Sequence, residues 1–298
     1  MLTSVLPHYS YRRLAARIVV HWLKGKARLG DRLRTENFTH FQHYAARTMR
    51  CNVCGKTGKP LFDFPDLSLR KEHRIGVLRE TVQCKQCGAT MRHRFLAHAL
   101  LRTIGKKTGW TGRTIHELAQ AGLSELRVLD TDAYSPISKL LRGCDGYTVS
   151  SYRPDREFGS LLSEKHYNVD LQKMPFEDGC FDLVMTSDVM EHVRHVDQAH
   201  SEIARILAQG GTYLFTVPYD ESCETHHVLV DTSGPEDVFL VPPQYHGDPL
   251  TGGILAYRVF GQGIFRDLAK LGLNTTFERI QEESALINDG DVFIATKS

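Results

Sequence analysis

At 298 residues, with 41% hydrophobic and 24% charged residues, the chain is long enough for one large domain with a substantial core or for two domains. No run approaches the ~20 apolar residues needed to cross a bilayer. The formal net charge of +2 conceals a division: residues 1–112 hold 22 Lys and Arg against 6 Asp and Glu, whereas residues 113–298 hold 15 against 29.

Such polarity suits either steering of a polyanion onto the front part or docking of the two parts together. The N-terminal stretch MLTSVLPHYSYRRLAARIVVHW carries its charges after the first apolar residues and has no small-residue cleavage site, which argues against a secretory signal. Seven cysteines, four of them in two Cys-x-x-Cys pairs, suit a reducing compartment with a metal better than a disulfide framework. The expected location is therefore cytoplasmic.

Residues 1–49 read as a helical segment. From Tyr9 to about Lys26, Leu14, Ile18, His21 and Trp22 share one side, and Arg12, Arg13, Arg17 and Lys24 occupy the other. A basic amphipathic helix suits a membrane surface. More often such a helix packs on its own protein or on a second subunit, so that a homodimer through it is one expected arrangement. Asp31–Met49 continues as helix, with interruptions near Gly25 and Gly30.

Residues 50–112 contain Cys51-Asn-Val-Cys54-Gly55 and Cys84-Lys-Gln-Cys87-Gly88, two matched knuckles separated by 29 residues. Each lets two thiolates reach one ion, and the trailing glycine permits the turn whose amides face the sulfurs. Four thiolates at this spacing favour a tetrahedral Zn²⁺ of the zinc-ribbon type, with rubredoxin-like iron as the alternative. A redox role is weaker, because no βαβ unit surrounds either pair. The zinc either staples a subdomain with little core of its own, which is the default, or presents Arg70, Lys71, Arg74, Arg79, Lys85, Arg92 and Arg94 to an anionic partner. Arg92 then opens a helix to about Ile104, and Gly105–Gly112 reads as a linker.

From Arg113 an α/β pattern begins and runs to residue 298. Thr114–Ala121 reads as a helix, Arg127–Asp130 and Tyr147–Ser151 as strands, and a further strand reaches Asp170. Phe181–Thr186 and Thr212–Val217 are short apolar runs rich in β-formers. Between them Val196, Ala199, Ile203, Ala204, Ile206 and Leu207 recur at helical spacing, and Gln209-Gly210-Gly211 supplies a left-handed stop. Two buried strands joined through a helix make a right-handed βαβ unit of a parallel sheet. Ligands of such sheets sit at the strands' carboxyl ends, here Asp170, Ser187-Asp188 and Pro218-Tyr219-Asp220.

Residues 219–259 form a long insertion with Cys223, His226, His227, Tyr245, His246 and four prolines, the composition of a lid or substrate wall. The paired histidines could bind substrate, assist proton removal, ligate a second metal, or hold an irregular loop by hydrogen bonds. A helix over Gln262–Leu271 and two strands, Thr275–Ile280 and Asp291–Thr296, complete the chain.

The run Met174-Pro-Phe-Glu-Asp-Gly179-Cys-Phe-Asp-Leu-Val184, the box Val189-Met-Glu191-His192-Val193 and the helix end Glu202–Gly211 resemble class I S-adenosylmethionine-dependent methyltransferases of the type 11 kind. The order of parts is similar to a bacterial group with two Cys-x-x-Cys knuckles, an "RHR" helix and no glycine loop. The matching segments are Met91–Arg94, Val128–Pro136, Phe215–Pro218 and Pro242–Pro249. The resemblance implies a Rossmann-like, seven-stranded sheet behind an N-terminal helical and zinc-ribbon region. It implies cofactor contacts at Asp130, Tyr134, Ser151, Asp170 (near the adenine amine), Leu171 and Asp188.

The chain departs from the family at two places. Thr131–Pro136 contains no glycine, although a non-glycine residue cannot cheaply take positive φ and its Cβ blocks a close backbone approach. Ser151 stands where a ribose-binding acid is usual, with Asp155 the nearest carboxylate. His192 is the best-placed base, since imidazole titrates near neutrality, with Glu191 and Asp188 to orient it. The leading expectation is methyl transfer to a small molecule or glycan, with His226, His227, Tyr245 and His246 binding the acceptor. The alternatives are an RNA methyltransferase gripping phosphates through its basic half, and a degenerate scaffold or partner subunit. Against RNA, the ribbon lacks interleaved aromatics.

Overall fold

The structure, a computed structural model, describes residues 46–62, 78–246 and 253–298. The expected helix over 9–26, most of that over 31–49, and Arg70, Lys71 and Arg74 lie outside the described residues. Met49 itself is extended, pairing with Gly58 as Arg50 does with Thr57.

The centre is an eight-stranded sheet of β1 (Val128–Asp130), β2 (Tyr147–Ser151), β3 (Leu161–Ser163), β4 (His166–Asn168), β5 (Phe181–Ser187), β6 (Leu207–Thr216), β7 (Leu273–Glu282) and β8 (Ile287–Lys297), in the order β7-β8-β6-β5-β1-β2-β4-β3. β4, β2, β1, β5 and β6 are mutually parallel. The C-terminal hairpin lays β8 antiparallel between β6 and β7, as expected. One strand exceeds the expected seven: β3 folds back antiparallel on β4 at the sheet's edge. Its turn passes through Lys165 at φ 51, and three half-exposed residues carry too little alternation for sequence to reveal a strand.

The main described helices are α1 (Met91–Thr108), α2 (Ile115–Ala121), α3 (Pro136–Leu141), α4 (Val196–Ile206) and α5 (Gly263–Ala269), with a single helical turn at Leu78–Thr81 before them. α1 begins at Thr90, whose hydroxyl accepts from the His93 amide, while the His93 ring accepts from the Thr90 amide. It continues through Gly105–Thr108 to a left-handed Gly109 (φ 77), so half of the expected linker is helix. α4 stops sooner than the glycine pair suggested. Leu207 is already extended and opposite Phe181, and Gly210 (φ 70) belongs to a bulge inside β6. No described helix is long and apolar enough to cross a membrane.

Two apolar layers flank the sheet. On one side Phe95, Leu96, Leu100 and Ile104 of α1 join Ile115 and Leu118 of α2 and Ile137 and Leu141 of α3. That cluster runs without interruption into Cys51, Val53, Val82 and Cys84 of the ribbon. On the other side Ile203 and Ile206 of α4 and Ile264 and Leu268 of α5 pack with Leu129, Val184 and Phe215. Gly290 of β8 permits the close approach of α1, since a Cβ there would lie 2.6 Å from the Phe95 Cβ.

The ribbon is joined to the sheet domain by polar contacts as well. The carbonyls of Asn52 and Val53 accept from Ile115 and His116, amides that a helix start leaves without internal partners. Arg94 is fully buried and donates to the Val82 and Ala89 carbonyls of the ribbon and to Ala285 and Leu286 beside β8.

The insertion is built of three two-residue ladders: His227–Val228 with Arg258–Val259, Val230–Asp231 with Val238–Phe239, and Tyr245–His246 with Ile254–Leu255. Arg258, buried, donates to the carbonyls of Met190, Val193 and Arg194. The Tyr257 amide donates to the Glu191 carbonyl at 2.8 Å. The insertion is thereby fastened to the turn that follows β5.

Candidate functional site

The strand order reverses between β1 and β5, and the crevice outside their carboxyl ends is where such sheets bind ligands. The β1 side is the glycine-free loop. None of Thr131–Pro136 takes positive φ, so the objection from positive φ does not arise. Side chains replace the glycines. The Asp130 carboxylate accepts the Asp132 amide at 2.9 Å, and Ser135 caps α3 by accepting the Ser138 amide at 3.0 Å with Pro136 in the first turn. Tyr147 donates its hydroxyl to the other Asp130 oxygen. Burial, with Asp132 nearby, pushes the Asp130 carboxyl up to about 7. The Thr131 hydroxyl is buried and has no hydrogen-bond partner.

The β5 side is Ser187 and Asp188, the latter in a left-handed conformation (φ 50). Arg79 grips the Asp188 carboxylate through two bonds of 2.7 and 2.9 Å, and Arg92 approaches it at 3.3 Å. Arg92 also pairs with Glu80 at 2.7 Å and donates to the Ser187 hydroxyl at 2.5 Å. His93 Nε2 lies 3.7 Å from the Asp132 carboxylate. The first turn of α1 thus links both walls of the crevice. Burial alone would raise the Asp188 carboxyl, but Arg79 and Arg92 outweigh it and hold it below the usual range. The sequence reading offered Arg79, Arg92 and Arg94 to an outside anion; all three point inward instead, and the first two furnish the crevice.

The remaining expected cofactor residues stand at neighbouring strand ends. Ser151 shares a hydrogen bond of 2.9 Å with His166. Asp170 accepts the Gln172 amide at 2.9 Å, Leu171 is buried, and Tyr134 is exposed, edge-on to His166. Asp155 is exposed and paired with Arg153.

The expected acceptor residues divide. His246 lies with Glu191 and His192: the two histidine rings meet edge to face at 4.8 Å, and one ligand-type atom from each residue lies within 4.8 Å of the others. His226 is held elsewhere, donating to Asp267 at 3.1 Å while accepting the Gly261 amide, and His227 pairs with Asp220 at 3.1 Å. Tyr245 is exposed. Glu191 is completely buried; desolvation, then Asp188, pushes its carboxyl up to about 8. Burial lowers the His192 imidazole, leaving it neutral at pH 7. Arg258, which orients this turn, carried no signal in the sequence, because its partners are carbonyls far away in the chain.

The ribbon brings Cys51, Cys54, Cys84 and Cys87 together, with sulfurs 3.8 Å apart for Cys51–Cys87 and 3.7 Å for Cys54–Cys84. Gly55 (φ 75) and Gly88 (φ 74) close the two knuckles through amide bonds of 2.8 Å to Cys51 and Cys84.

Several solved structures are similar in shape. One, an S-adenosylmethionine-dependent methyltransferase from Methanosarcina mazei, is 15% identical, covering 60% of this chain and 95% of that one at a TM-score of 0.36. One from Mesorhizobium loti is 16% identical, covering 60% and 95% at 0.37. The Burkholderia thailandensis 1,6-didemethyltoxoflavin-N1-methyltransferase is 15% identical, covering 68% and 88% at 0.34. No curated protein matches the sequence. Residues 109–215, which hold β1 to β5, most of β6 and the strand ends that frame the crevice, match the family model described as a methyltransferase domain.

Proposed function

We propose that this chain transfers a methyl group from S-adenosylmethionine to a small-molecule or glycan acceptor, and that its ribbon holds one structural Zn²⁺. The observation that carries the first part is the methyltransferase match over 109–215, which spans the crevice between β1 and β5.

The residues of the crevice fit the cofactor's amino-acid end by charge. Arg79 and Arg92 are partners for a carboxylate, Asp132 and Asp188 for an ammonium, and the buried Thr131 hydroxyl awaits a polar neighbour. Asp130 would hold the loop that carries Thr131. Ser151, Asp170 and Leu171, with Tyr134 at the rim, would line the nucleoside end. When bound, S-adenosylmethionine supplies an electrophilic methyl group at its sulfonium. His192 Nδ1 faces the Leu255 carbonyl at 2.8 Å; a carbonyl only accepts, so Nδ1 carries the proton and Nε2 is left to receive one from the acceptor. Glu191 would orient that exchange. Tyr245 and His246 are the acceptor-side contacts we favour. His226 and His227, already engaged by Asp267 and Asp220, would serve by shaping the insertion as a wall.

The four sulfurs suit zinc by distance, because ligands at about 2.3 Å from a tetrahedral Zn²⁺ stand about 3.8 Å apart. The pairing of Arg79 and Arg92 with Asp188 and Glu80, inside the crevice, and the burial of Arg94 weigh against the RNA reading, since these charges face the fold and not an outer surface. We take residues 50–112 and 113–298 as ribbon and methyltransferase units of one folded body in a cytoplasmic protein, dimeric through the segment before residue 50. Calorimetric titration with S-adenosylhomocysteine tests the cofactor assignment. Binding near one equivalent is expected, and its absence would overturn the assignment in favour of a scaffold.

A further inference from the structure

Glu191 is the least satisfied side chain of the site. It is completely buried, and neither carboxylate oxygen has a hydrogen-bond partner. Removing a carboxylate from water without a compensating charge or hydrogen bond is costly, so such a group signals a missing partner. Its Oε1 faces His192 Nε2 at 3.7 Å and His246 Nδ1 at 3.8 Å.

The surroundings fix these atoms as ligands are fixed around a metal. The Leu255 carbonyl holds the proton on His192 Nδ1, which leaves the Nε2 lone pair toward Glu191. The same hairpin pairs His246 with Ile254, so one short ladder both carries one histidine and orients the other. Arg258 pins the turn from Met190 to Arg194 by three carbonyl bonds of 2.6 to 3.1 Å. Nitrogen and oxygen ligands at about 2.1 Å from a tetrahedral ion stand about 3.4 Å apart; the two separations from Glu191 are a few tenths of an ångström longer, and the three ligand atoms all lie within 4.8 Å of one another.

We propose that Glu191, His192 and His246 bind a divalent first-row transition ion. Imidazole and carboxylate without thiolate select Zn²⁺, Mn²⁺, Fe²⁺ or Co²⁺, and three protein ligands leave open positions for oxygen atoms of a bound molecule. The ion supplies the charge that the Glu191 carboxylate lacks. With His192 Nε2 coordinated, that nitrogen would no longer take the acceptor's proton; the ion would instead lower the pKa of a hydroxyl bound to it, and the proton would leave to water. Ion binding itself does not depend on methyl transfer.

The test is a Co²⁺ titration of the full-length protein with its ribbon already filled by zinc, followed by calorimetry and visible absorbance. One further equivalent is expected, with weak bands and no intense thiolate absorption. His246→Ala and Glu191→Gln should each weaken it at least tenfold, with the ribbon zinc and circular dichroism unchanged. The His246 side chain is 43% exposed, so its truncation leaves the core intact should the Glu191 variant misfold. No further equivalent in the wild type, or undiminished binding in His246→Ala, overturns the proposal. Failure to bind S-adenosylhomocysteine would instead strike the methyl-transfer reading and leave the ion result standing.

Discussion

Among the described residues, two clusters of candidate metal ligands are of opposite construction. In the ribbon, four cysteines come from two local turns, each closed by its own left-handed glycine, and the sulfurs already stand at the separation a tetrahedral ion needs. In the second, two adjacent residues after β5 meet one histidine from a distant hairpin, and the burial of the surrounding domain forces the carboxylate into the group. The first cluster, as proposed, would need its metal to fold. The second is held by a fold that exists without one. Metal loss should therefore have unequal consequences at the two places.

The largest effect is expected at Cys84→Ser. Structural zinc supplies about 10–16 kcal/mol to isolated finger peptides at pH 7, and Cys84 lies inside the core shared by ribbon and sheet. Elemental analysis should find zinc near one equivalent in the wild type and far less in the variant, with a large loss of cooperative unfolding. A fully folded, metal-free wild type would sink this expectation.

Arg94→Met probes the seam between the two units. It removes a donor from four buried carbonyls, of which that of Ala89 keeps the Cys84 amide, and each buried acceptor left unsatisfied costs about 1–3 kcal/mol. Urea denaturation should report a lowered midpoint. A variant as stable as the wild type would mean that the ribbon is docked by apolar contact alone.

Asp130 offers a pH test on the crevice side. Its folded pKa, pushed up to about 7, lies above the ordinary 3.8. Between those values the folded chain keeps a proton that the unfolded chain has lost. The contribution is complete below about pH 4 and is lost as the pH rises through about 7. Stability should fall over that window by up to a few kcal/mol, and Asp130→Asn should flatten the dependence. An unchanged pH profile in the variant would refute the assignment.

The smallest effect belongs to the strand end beyond the ion clusters. Asp170→Ala should weaken S-adenosylhomocysteine binding by about 1–3 kcal/mol, the scale of a hydrogen bond lost to a buried polar group. Calorimetry comparing the variant with Ser151→Ala would show which of the two strand ends contributes more to the nucleoside side.

The ribbon and the sheet were readable in the amino-acid sequence because their determinants are local. A knuckle is five residues long, a buried strand is an apolar run, and a helix repeats over a few turns. Even the glycines at 55 and 88 could be read, since positive φ is a property of one residue. Where neighbours compete, the reading slips. Gly210 follows a helix in sequence yet serves a bulge, because pairing of Leu207 with Phe181 ends α4 first.

By itself, then, the sequence determined the four thiolates, the parallel sheet with its terminal hairpin, and the methyltransferase resemblance. Only the tertiary structure decided what the charges do. It turned Arg79, Arg92 and Arg94 from a basic face into internal partners, and it held the glycine-free loop with Asp130, Ser135 and Pro136. It also sorted the insertion's histidines, giving His226 and His227 to carboxylates and His246 to Glu191. A charged side chain can satisfy itself against water, a neighbour or a residue two hundred positions away, and the choice among them is made by which backbone carbonyls and carboxylates the packed elements bring within reach.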